Sequence, residues 1–117
     1  MIKYQIIIAN MILVAFLGYS QNTIAKEFTS ATVLEWPEAS QNSLFQSSVT
    51  MIGFVAAQVD AHSHIARCVS DWYWKGEQAD PAKNEAIRNA MRRFPEYHPQ
   101  MVILAVVEKA CGKFGKS

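Results

Sequence analysis

Two cysteines, Cys68 and Cys111, stand 43 residues apart in a chain of 117, and no third cysteine offers another pairing. Whether they are joined decides what a chain this short can fold into. The first lies in the stretch HSHIARCVSDWYW (residues 62–74), where two histidines and three aromatics surround it; the second lies in VVEKACG, late in an apolar run. In an oxidising compartment the default is one intramolecular bridge. A 43-residue loop closed in this way removes unfolded-state freedom equivalent to about 4 kcal/mol in the chain-entropy model. That is comparable with the roughly 5–8 kcal/mol a small domain has in all. A reactive thiol would want a Cys-x-x-Cys spacing or an adjacent base, and neither cysteine has a second one two or three residues away.

The compartment is read from the other end. The chain opens with Lys3 as its only early charge, an apolar run from Ile6 to Leu17, and a short polar stretch ending in Thr23 and Ala25, small enough for the −3 and −1 positions of a cleavage site. This pattern predicts a signal peptide over 1–25 and an exported, periplasmic protein. The apolar run is shorter than the ~20 residues a membrane-spanning helix needs. Cleavage leaves about 92 residues, enough for one domain. Lys3 is the only charged residue removed, so ten of the eleven basic residues and all ten acidic ones remain. Near neutrality and without a basic tract, the chain is not expected to bind nucleic acid. MVILAVV, the most apolar later segment, is ended by Glu108 and Lys109, so no membrane association is expected after cleavage.

The remainder reads as an all-α, three- to four-helix bundle pinned by one disulfide. Residues 26–35 are polar and β-branched with no sustained period, a loose N-terminal arm or short strand; the helical domain is 36–117. A first helix follows Trp36 and Pro37, with Pro37 suited to a first-turn position and Phe45, Val49, Ile52, Ala56 and Val59 on one face. Leu44, Met51 and Val55 widen that stripe. Gly53 implies close packing there, and the helix is expected to fray between Asp60 and Ala66. Asp80 caps a second helix, with Pro81 at its first position, Ile87, Ala90, Met91 and Phe94 facing the core, and Pro95 stopping it. Lys83, Arg88, Arg92 and Arg93 fall off its apolar stripe, as a solvated basic face or one that meets an acidic partner. A third helix starts at Pro99 and runs through Met101, Leu104, Ala105 and Val106 to Cys111. Its apolar residues nearly surround it, which predicts the central helix, and Gly112 follows where a left-handed residue usually ends one.

Chemistry is sparse. His62 and His64, with Asp60, Cys68 or His98, would hold a metal only on extended backbone, because helical positions two apart diverge by ~200°; solvated helix-end histidines are the simpler reading, and no metal is expected. Carboxylates stand singly, no Gly-x-Ser-x-Gly occurs, and no glycine-rich loop could cradle a phosphate. The chain therefore reads as a non-enzyme without cofactors. Trp72, Tyr73 and Trp74 cannot all face one core, since neighbouring side chains point apart, and aromatics are common interface anchors. Together with Arg88 and Arg92 they are the expected contacts with a protein partner; burial beside the disulfide is the alternative. A second copy of the chain is also a candidate partner.

The order of these features resembles the Rap/Tai-type immunity proteins of type VI secretion. The residues that carry the likeness are a tryptophan-led first helix, ARCVSDWYW, IRNAMRRFPEYHP and MVILAVVEKACG, over roughly Trp36 to Phe114. That family has a proline close after the first cysteine and Phe-Pro-Cys at the second, where this chain has CVSD and KACG. The resemblance implies a periplasmic protein that binds and blocks a toxic peptidoglycan amidase. The chain is also similar to acid-stress periplasmic chaperones of the HdeA kind, which are small, exported, helical and joined by one long-range disulfide. That likeness implies exposure of apolar surface when carboxylates protonate.

Overall fold

The computed structural model describes residues 27–115; the expected signal peptide, 1–25, lies outside them. Those residues form five α-helices: α1 (Ser30–Leu34), α2 (Glu38–Ala57), α3 (Ser63–Tyr73), α4 (Pro81–Arg93) and α5 (Pro99–Cys111). A 3-10 turn (Asp60–His62) precedes α3, and a two-residue hairpin, β1 (Trp74–Lys75) with β2 (Gln78–Ala79), precedes α4. The fold is mostly helical, as expected, with more helices than expected.

The arm is a helix. Five residues are too few to hold helical structure alone, and α1 is held by its surroundings. The Ser30 amide and hydroxyl both donate to the Tyr97 carbonyl (2.8 and 2.9 Å), and the Ala31 amide donates to the Pro95 carbonyl (3.0 Å). These are the first-turn N–H groups that a helix cannot satisfy internally. At the other end Gln41 Nε2 donates to the carbonyls of Leu34 (3.2 Å) and Trp36 (2.9 Å), and Val33 is fully buried.

Pro37 sits one residue earlier than expected, as the cap before α2 rather than inside its first turn. Phe45, Val49 and Ala56 face the core, with Ile52 and Leu44 packed against them; Met51 and Val55 of the wider stripe are exposed, and so is Val59 of the expected face, which lies beyond the helix end at Ala57. Nor is Gly53 demanded by crowding: a Cβ there would meet Val69 at 3.8 Å, an ordinary contact.

Instead of fraying, the chain turns after Ala57 and starts α3, whose Ile65, Val69 and Tyr73 recur every fourth residue and are buried. The helix packs back along α2. It ends where Trp74 adopts extended backbone, and the hairpin reverses the chain through Gly76 at φ +68°, a value glycine adopts without steric cost. Asp80 then caps α4 as expected, its carboxylate accepting from the Ala82 amide at 2.9 Å, with Pro81 in the first turn.

His98 caps α5, its Nδ1 accepting from the Gln100 amide at 3.1 Å. The buried side of α5 is Pro99, Val102, Ile103 and Val107; Met101 and Ala105 are exposed and Leu104 and Val106 only partly covered. The helix is nevertheless central, touching all four others. Gly112 ends it at φ 112°, ψ 157°, a positive φ with extended ψ rather than a left-handed helical turn. The core draws Val33, Phe45, Val49, Ile65, Val69, Tyr73, Ile87, Met91, Ile103 and Val107 from all five helices. Each large side chain among them contributes on the order of 1.5–3 kcal/mol by leaving water.

Candidate protein-binding surface

The Cys68–Cys111 bridge forms, with Cα atoms 5.6 Å apart, and ties the middle of α3 to the last turn of α5. Both thiols are thereby removed from nucleophilic chemistry. His62 lies half-buried in the 3-10 turn, its ring edge-on to Phe114 at 5.3 Å and its Nδ1 without a hydrogen-bond partner, while His64 is exposed on α3. No group of three or more His, Cys, Asp or Glu side chains converges in metal-binding geometry among the described residues.

The expected partner contacts do not form one surface. Tyr73 is fully buried; its hydroxyl donates to Asn84 Oδ1 at 2.6 Å, also buried. Burial pushes the phenol up to about 12 against a smaller downward effect of that hydrogen bond. With no exposed surface, Tyr73 offers nothing to a partner. Trp72 and Trp74 flank it, partly covered and packed against the core, with Lys83 Nζ 5.4 Å from the Trp72 ring centroid.

Arg88 is likewise not on a solvated face: it is 7 % exposed. Its Nε donates to Gln41 Oε1 (2.7 Å), Nη2 to Asn42 Oδ1 (2.6 Å) and Nη1 to Glu85, while the guanidinium lies 5.5 Å from the Phe45 ring centroid. Gln41 in turn holds the end of α1, so one side chain of α4 fastens α1 and α2. Arg92 is exposed but engaged, its Nη1 donating to Glu85 Oε1 (3.0 Å) and to Asn89. The hydrogen bonds from Arg92 and then Arg88 hold the Glu85 carboxyl below the usual carboxylate range. This cluster is a clasp between helices.

An exposed apolar surface lies elsewhere. Between α4 and α5 is an open groove of about 490 Å³ whose apolar lining includes the exposed Phe94, Tyr97 and Met101 and the buried Ala90 and Val102, with Arg93 and Lys109 also among the lining residues and no carboxylate. Phe94 was expected in the core and is 50 % exposed; Tyr97 and Met101 are 55 % and 62 % exposed. Phe94 and Tyr97 meet edge to face at 5.8 Å. The backbone beneath them is anchored, because the Pro95 and Tyr97 carbonyls accept the hydrogen bonds from α1. Phe94 and Tyr97 are thus presented on a held backbone, so little backbone ordering entropy remains to be lost on binding. Sequence reasoning missed this groove. The available signal was FPEYHP, two aromatics in a proline-bounded connection with no period to place them in a core.

No helix among the described residues is long and apolar enough to cross a membrane. No protein-family model, curated protein or solved structure matches the chain.

Proposed function

We propose that this is a non-enzymatic, exported binding module whose α4–α5 groove receives an amphipathic helix of a protein partner, its apolar side on Phe94, Tyr97 and Met101 and acidic residues towards Arg93 and Lys109. The observation that carries the reading is that apolar lining, open to solvent, with Phe94 and Tyr97 on an anchored connection and two cations but no carboxylate beside them. Helix-in-groove recognition uses such a lining for affinity, and charges beside it for orientation and encounter rate. The disulfide supports an oxidising compartment. Steric inhibition of an exported peptidoglycan amidase, which the likeness to Rap/Tai-type immunity proteins implies, is the specific form we put forward.

The test is capture from periplasmic extract with the tagged protein and its Met101→Glu variant, followed by binding of the recovered partner to each purified form. One partner held at neutral pH by the native protein and lost by the variant is expected, and if that partner is an amidase its activity falls stoichiometrically. Equal retention by both forms contradicts the groove reading. Many unrelated proteins held only near pH 2–3 point to acid chaperoning instead.

A further inference from the structure

The outward side of α2 is a second unpartnered surface, and its chemistry differs from that of the groove. From Ala39 to Val59 the chain has no Asp, Glu, Lys or Arg. Solvent-facing sides of helices ordinarily carry charge. At about 100° per residue, Ser43, Ser47, Thr50 and Phe54 lie opposite the buried line of Phe45, Val49 and Ala56. Phe54 is 64 % exposed, and Met51 and Val55 beside it are 60 % and 53 % exposed.

We infer that this face pairs with the same face of a second copy of the chain. The inference goes beyond the proposed function and does not depend on it. A two-fold interface sets one surface against itself, so any charge on it risks facing its own kind across the axis. A face without charge has no such clash, and depletion of charge is what marks the core of protein interfaces. An anionic membrane surface would instead call for basic residues, and a charged partner would find nothing to complement. Ser43 and Ser47 are small enough to let two helices approach closely, while Phe54 and Met51 supply the apolar area. A 20-residue helix is about 30 Å long. Two such faces bury roughly 1,000 Å² in total, the lower limit for a specific interface, so the dimer is weak and reversible.

Sedimentation velocity on the purified protein, in the form the expressing cell processes it to, tests this over about 1–300 µM, the range in which a weak dimer dissociates. The native protein is expected to shift from monomer to dimer across that range. Phe54→Glu and Ser47→Glu should each remain monomeric throughout while keeping the native circular dichroism spectrum, since both side chains point away from the core. Met101→Glu, in the other groove, should dimerise as the native protein does. A native protein that stays monomeric, a dimer that survives both α2 variants, or a dimer lost with Met101→Glu but not with Phe54→Glu, overturns the inference. A dimer lost only with Met101→Glu would put a second copy in the α4–α5 groove; the other outcomes leave the reading of that groove untouched.

Discussion

Replacing Arg88 separates a structural clasp from a solvated charge. In Arg88→Met the aliphatic cover over Phe45 is largely kept and three hydrogen bonds are lost. The costs differ by partner. Gln41, 6 % exposed, is left with an unpaired carbonyl oxygen where water has little access, worth about 1–3 kcal/mol. Asn42 is only half-buried and can rehydrate. Glu85 is exposed and keeps Arg92, so its share is small. Against this, the desolvation of a guanidinium is relieved. The net expectation is a loss of about 1–3 kcal/mol, read from urea unfolding by circular dichroism. Arg88→Lys should recover only part, because an ammonium cannot reach three acceptors in the guanidinium's fork geometry. In a Gln41→Met background the cost of Arg88→Met should fall by at least about 1 kcal/mol, the coupling expected of residues in one network. A loss below about 0.5 kcal/mol, with no coupling, would refute the clasp and return Arg88 to the ordinary solvated face.

Further outcomes follow from other contacts. Cys68→Ser with Cys111→Ser should lower stability by about 4 kcal/mol, enough to leave much of the chain unfolded at 37 °C, as a thermal melt would read. Tyr73→Phe leaves the buried Asn84 oxygen unpaired and should cost about 1–2 kcal/mol in urea unfolding. The native Tyr73 phenol, raised to about 12, ionises first in the unfolded chain, near its ordinary value of 10. Stability is therefore whole below about pH 10 and falls, by on the order of 2 kcal/mol, as pH rises towards 12; the Phe variant lacks that component of the alkaline loss. Asp80→Ala removes the one side-chain cap of α4 and should cost about 1 kcal/mol in the same assay.

What could be seen in the sequence depended on how local the determining contact was. Asp80-Pro81 and Pro99 announce helix starts because their capping chemistry spans two or three residues. The disulfide followed from having one pairing available. α3 carries a weaker signal: Ile65, Val69 and Tyr73 keep a step of four, but His62 makes no side-chain cap to mark the start and the three consecutive aromatics blur the period at the end. α1 was not legible, since its amides are satisfied by a loop some 65 residues away. The same holds for Arg88, whose deciding partner Gln41 lies on another helix. Periodicity marks an apolar stripe but neither its width nor its end: Met51 and Val55 lie at the margin of the α2 stripe and face out, and Phe94, although in step with Ile87, is the non-helical cap after α4 and turns outward.

The proposed reception of another protein in the groove between α4 and α5 can be tested where the protein works. A photo-reactive benzoyl-phenylalanine at position 101, with the same probe at exposed Ala82 as the reference, tests it in intact cells. One discrete protein adduct is expected from position 101, joined through a helical segment bearing acidic residues, with a large loss of yield when Arg93→Glu and Lys109→Glu are combined. Adducts no more abundant than those from position 82, or a yield untouched by the charge reversals, would contradict it.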